Sequence, residues 1–98
     1  MLAPNSRFPA VTAPVNRRRL LNKLLSGSKN IHFAEATACV EAFGFRLARV
    51  SGSHHIYRHP SVPELVNLQN VNGKAKPYQV KQFLQIVEQY DLRLEDEE

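Results

Sequence analysis

From Gly52 to Pro60 the chain reads Gly-Ser-His-His-Ile-Tyr-Arg-His-Pro, which gathers three of its four histidines and one arginine into nine residues. Three readings fit such density. Imidazole is a common metal ligand, but neighbouring residues of a strand point to opposite faces, and no nearby Cys or Asp completes a set. A metal site is therefore not expected, nor any cofactor. In the second reading the histidines merely fill strand positions beside Tyr57. The third is acid–base chemistry on RNA, because a side chain with an ordinary pKa of ~6.5 exchanges a proton near neutrality. RNA carries its own nucleophile. A base that removes the ribose 2′-OH proton lets that oxygen attack the adjacent phosphate, and nearby cations stabilise the charge that develops there. Arg49, Arg58, Lys74 and Lys76 are the nearest such cations, in sequence or across predicted hairpins. Residue chemistry alone leaves the second and third readings open.

The elements around this segment follow from periodicity. Leu20, Leu21, Leu24 and Leu25 form one apolar stripe, so Arg17–Leu25 is predicted as a short helix, stopped by Ser26-Gly27-Ser28. Phe33, Ala36, Val40 and Phe43 recur at helical spacing, and Gly44 follows as a C-terminal cap. The period then drops to two. Phe45–Val50 is a predicted strand, Ser51-Gly52-Ser53 a turn, His54–His59 a second strand closed by Pro60, and Glu64–Gln69 a third. Asn70–Lys76 reads as a loop in which Gly73 meets a turn requirement. Pro77 then opens a helix carrying Val80, Phe83, Leu84 and Val87. The expected fold is α+β: helix, three-stranded antiparallel sheet and helix, with the Arg17–Leu25 helix as an extra in front.

Charge and composition narrow the partners. Up to Tyr90 there are twelve basic and four acidic residues, a net +8, whereas Asp91–Glu98 holds five acids and one Arg, a net −4. A basic body suits a polyanion such as RNA or DNA. The acidic end, 95–98, reads as a solvated tail that can also fold back over basic surface. Residues 1–16 carry Pro4, Pro9 and Pro14 without periodicity and read as a mobile leader, not a secretory signal. No run reaches the ~18 apolar residues of a membrane helix. No membrane association and a cytoplasmic location are expected. The lone Cys39 has no partner for an internal disulfide and is assigned to a helix core.

Gly44-Phe45-Arg46-Leu47, Arg49 and the Gly52–Pro60 block together resemble the signature of HicA toxins, also called YcfA-type proteins. Asn67-Leu68-Gln69 and the stretch Asn72–Val80 are similar to a longer-chain branch of that family, and the resemblance runs from about Arg17 to Leu94. It implies a fold like a double-stranded-RNA-binding domain over 17–94. The implied activity is metal-independent cleavage of mRNA by the toxin of a type II toxin–antitoxin system, neutralised by a HicB-like antitoxin. The second histidine of the pair is the residue this implies as catalytic, and it is His55. Gly52, Ser53, His54 and His59 are then candidates for orienting substrate, with His59 also suited to closing the strand, while Arg49, Arg58, Lys74 and Lys76 are candidates for phosphate contacts. The competing reading is a module of the same fold that binds RNA or an antitoxin and catalyses nothing.

Period two puts His55, Tyr57 and His59 on one face of the second strand and His54, Ile56 and Arg58 on the other. Each face has an apolar residue. If Tyr57 packs inward, His55 has to work from the open end of the strand, beside Gly52.

Overall fold

The computed structural model describes residues 16–95. The leader expected over 1–16 lies outside the described residues up to residue 15, and so do residues 96–98 of the acidic tail. The chain orders as α1 (Arg17–Leu25), α2 (Phe33–Ala42), β1 (Arg46–Ser51), β2 (His54–His59), β3 (Val62–Val71), β4 (Lys74–Ala75) and α3 (Pro77–Gln89). The strands form one antiparallel sheet in the order β1-β2-β3-β4. This is the α+β, double-stranded-RNA-binding-domain-like arrangement with α1 added in front.

The fourth strand is an addition to the three expected. At two residues it is too short to show a period, and it exists because Asn72 (φ 52°) and Gly73 (φ 84°) both take the left-handed conformation that a type I′ hairpin requires. Its outer edge is not left open. The Ala75 N–H donates to the Ile31 carbonyl, and the Phe33 N–H donates to the Gly73 carbonyl at 2.8 Å, so the approach to α2 runs alongside β4.

The helices begin and end for local reasons. The Asn16 side chain accepts the Arg19 N–H, capping α1, and Pro77 occupies the first turn of α3, where its missing N–H costs nothing. At α2 the Glu35 carboxylate reaches back to accept the His32 N–H at 2.9 Å and also receives Lys23 of α1 at 2.9 Å, which joins the two helices. Gly44, at φ 95°, ends α2 and turns the chain into β1.

One apolar core joins these parts. Leu21 and Leu24 of α1, Ala36, Cys39 and Val40 of α2, Tyr57, Val66 and Leu68 of the sheet, and Val80 and Phe83 of α3 are all buried. Phe83 meets both Phe43 and Phe45 edge-on, at 5.7 and 5.8 Å between centroids, so the end of α2 is fastened to α3. At ~1.5–3 kcal/mol for each large apolar side chain removed from water, burial of Leu21 and Leu24 helps to hold the nine-residue α1 in place.

The core also settles the face of β2. Tyr57 is 3% exposed and stands opposite Val66, so Tyr57, His55 and His59 lie on the side covered by α2 and α3. His54, Ile56 and Arg58 lie on the other side. β1 departs from the simple alternation. Leu47 pairs with Tyr57 and Val50 with His55, so Ala48 is an extra, bulged residue and both Leu47 and Val50 fall on the helix side. They are about half exposed there, since the helices lie over β3 and β4 and leave the β1 end of that face open. A second irregularity sets Pro63-Glu64-Leu65 of β3 against Arg58 alone, where Pro63 has no N–H to give the ladder.

Candidate active site

His55 sits at the second position of β2, one residue beyond the two-residue turn Gly52-Ser53. Gly52 has φ 60° at the first turn position, which is where a type II′ hairpin needs glycine. A Cβ placed there would meet nothing within 4 Å. Backbone conformation, not crowding within the chain, is therefore what Gly52 supplies.

The His55 ring is held on two sides. Its edge contact with Phe33, at the first position of α2, has centroids 4.7 Å apart and planes at 62°. Its Nδ1 lies 3.3 Å from the Ser53 carbonyl oxygen. A carbonyl only accepts, so this contact places a proton on Nδ1 and, in the neutral ring, leaves the lone pair on Nε2. The ring is half-buried, and Val50, its partner on the same face of the sheet, is half exposed. A nitrogen base anchored through its other nitrogen, beside open surface, is the arrangement that general-base catalysis uses.

The other histidines are placed differently. His54 points to the face away from the helices, with Nδ1 3.2 Å from Asn67 Oδ1, so the adjacent pair does not converge. His59 is on the His55 side but serves the fold: its Nδ1 accepts the Ser61 N–H at 3.0 Å, and its ring lies 5.0 Å from that of Phe45. His32 precedes α2 and is exposed. Among the described residues no three of His, Cys, Asp and Glu come together in a group able to hold a metal ion.

The predicted strand cations lie away from His55. Arg49 pairs with Ile56, and Arg58 shares its alternation, so both project from the side opposite His55. Lys74 pairs with Val71, which continues the alternation of Asn67 and Gln69, so it starts from that same far face while its neighbour Ala75 turns into the core. Its ammonium donates to Asn30 Oδ1, and it follows Gly73, whose carbonyl caps the Phe33 N–H. Lys76 lies 5.8 Å from the Tyr78 ring centroid. Ser53 contributes its carbonyl.

Three neighbours of His55 were not singled out by sequence. Phe33 reads there only as a core residue of α2, and Val50 only as a strand position. Asn70 carried a usable signal, because Asn three residues before Gly is the pattern of a side chain that caps a turn. Its Oδ1 accepts the Gly73 N–H at 2.7 Å, and its own N–H donates to the Ser53 carbonyl at 3.0 Å.

A family model described as the HicA toxin of bacterial toxin–antitoxin systems matches residues 33–89, more than half of the chain. It spans α2 through α3 and contains His55 with Phe33, Ser53, Asn70 and Gly73 around it, while α1 precedes it. No curated protein and no solved structure matches the chain.

Proposed function

The chain belongs to the HicA toxin family of bacterial toxin–antitoxin systems, and from that premise we propose that it is an endoribonuclease that cleaves mRNA with His55 as the general base. The observation that carries this reading is the Nδ1 contact of His55 with the Ser53 carbonyl, which leaves Nε2 as the basic nitrogen of the half-buried ring. Nε2 takes the proton of a ribose 2′-OH, the 2′-oxygen attacks the neighbouring phosphorus, and the bond to the 5′-oxygen of the next nucleotide breaks as that oxygen gains a proton. The products are a 2′,3′-cyclic phosphate and a 5′-hydroxyl end. Arg49, Arg58 and Lys74 lie on the face opposite His55 and serve RNA where it passes round to that face. The reaction is proposed to need no cofactor.

The half-exposed Leu47 and Val50 beside His55 give a protein partner apolar surface next to the base, so an antitoxin of the HicB type that lies on β1 also covers the site. No described helix is long and apolar enough to cross a membrane; action in the cytoplasm, on mRNA, belongs to the same proposal. The test is cleavage of a defined RNA in EDTA by the wild type and by His55→Ala, with the product ends identified. Cyclic phosphate formed by the wild type alone supports the reading. Undiminished cleavage by a folded His55→Ala protein overturns it, and RNA binding without any product favours a binding module instead.

A further inference from the structure

We infer that Asn70 is a positioning residue for His55, acting through a closed ring of contacts that fixes both the place and the tautomer of the imidazole. The ring can be followed atom by atom. The Asn70 N–H donates to the Ser53 carbonyl at 3.0 Å, and the same carbonyl faces His55 Nδ1 at 3.3 Å. The Asn70 side chain accepts the Gly73 N–H at 2.7 Å. Gly73 in turn accepts the Phe33 N–H at 2.8 Å, and the Phe33 ring meets the His55 ring at 4.7 Å. One residue thus grips the turn on each side of the imidazole: the β1–β2 turn through its backbone and the β3–β4 turn through its side chain.

The arrangement is not one that packing alone produces. Asn70, Gly73 and Ser53 are all exposed, so burial holds none of them, and the Gly52-Ser53 and Asn72-Gly73 turns are free to shift unless something ties them. Without the Oδ1 acceptor the Gly73 amide loses its partner, and the backbone bonds from Phe33 to Gly73 and from Ala75 to Ile31 alone tie the β3–β4 turn to the start of α2, where Phe33 sits. A histidine whose stacking partner loosens turns from the Ser53 carbonyl and samples its second tautomer, in which Nε2 bears the proton and cannot act as base.

This inference rests on His55 as the base for its effect on rate, but not for its effect on the ring. The variants are Asn70→Ala, which removes the acceptor, and Asn70→Asp, which keeps one. The readouts are circular dichroism for folding, nitrogen-15 and proton NMR of the His55 imidazole for tautomer and titration, and the pH profile of RNA cleavage. Asn70→Ala is expected to fold, to move the His55 signals away from the Nδ1-protonated form, and to lower the cleavage rate on the order of tenfold to a hundredfold with a displaced pH profile. Asn70→Asp is expected to restore the tautomer signature and most of the rate. Should Asn70→Ala fail to fold, Asn70→Val, which also lacks an acceptor and suits a strand, carries the same NMR comparison against Asn70→Asp. An unchanged His55 signature in a folded variant without an acceptor overturns the positioning role even if His55→Ala is inactive. A changed signature with His55→Ala still active leaves the positioning role standing and removes the catalytic reading.

Discussion

His55 stands directly opposite Leu68 across the β2–β3 ladder, a half-buried imidazole paired with a side chain that is wholly buried. The pair marks the rim of the core. Because the imidazole is only half-buried, its removal should be structurally mild: His55→Ala is expected to cost about 1 kcal/mol of stability while lowering RNA cleavage by ~10²–10⁴-fold. Urea unfolding and a single-turnover cleavage assay on the same preparation measure both quantities. A large loss of stability would mean that inactivity says nothing about catalysis.

The placement of the cations on the face opposite His55 gives a second expectation. Lys74→Ala and Arg58→Ala should both leave single-turnover cleavage at saturating RNA close to wild type, since Arg58 and Val71, the partner of Lys74, share the far side of the sheet. Each should instead weaken RNA binding modestly and reduce its salt dependence by about one unit of slope. Cleavage and filter-binding titrations across salt concentrations separate binding from chemistry. A large loss of cleavage at saturating RNA would show that RNA reaches both faces during reaction.

Much of this geometry was legible in the sequence, and the rest depends on contacts that no local pattern encodes. The leucine stripe of α1 and the period-two segment His54–His59 reappear with the predicted bounds, because each is determined by side-chain spacing within one element. The side of β2 that meets the helices was not legible, since Tyr57 and Ile56 compete for the core on equal terms. Packing chose Tyr57, opposite Val66. The bulge at Ala48, which turns Val50 to the same side as His55, arises from pairing with β2 and leaves no mark in β1 itself. Phe33 and His55 lie 22 positions apart and meet because the backbone bonds to β4 and the core contacts of α2 bring the start of that helix over β2.

Gly44 is the position where a glycine is required on two counts. It has φ 95°, and a Cβ there would lie 2.8 Å from Glu95 Oε2 and 3.1 Å from His59 Nε2. Gly44→Ala is expected to destabilise the protein by about 2–3 kcal/mol, of which ~1–2 kcal/mol is backbone strain that no neighbour can relieve. Glu95 can give way, because its carboxylate is held by Arg46 at 3.3 Å near the surface. In the double variant with Glu95→Ala part of the loss should therefore return. Strict additivity in urea denaturation would show that the crowding contributes nothing.

The Lys23–Glu35 pair predicts a pH dependence of stability. The hydrogen bond from the Lys23 ammonium holds the Glu35 carboxyl below its ordinary value of 4.5, against the opposing effect of burial and with help from the His32 N–H and nearby positive charge. A carboxyl depressed in the folded state adds stability above its unfolded pKa, and that contribution disappears as pH falls through the lower, folded value. The difference in unfolding free energy between the wild type and Glu35→Gln should thus be constant from pH 7 to about pH 5 and shrink below about pH 4.5. Its size should stay under about 1 kcal/mol, since the pair is partly open to solvent. A difference that grows on acidification would be the wrong sign for this pair.

Cys39 offers a probe of the joint between α2 and the sheet. Its side chain is fully buried in the core, and burial pushes the thiol pKa up to about 12. At pH 8 the thiolate fraction is on the order of one in ten thousand, so a folded protein should resist iodoacetamide and aromatic disulfide reagents for as long as α2 stays packed. Reaction should appear only with opening of the core, at a rate that rises along the urea unfolding curve. Asn70→Ala, which loosens turns without touching the core, should leave Cys39 as resistant as in the wild type. Prompt labelling of the native wild type would show that α2 separates from the sheet far more readily than its contacts imply.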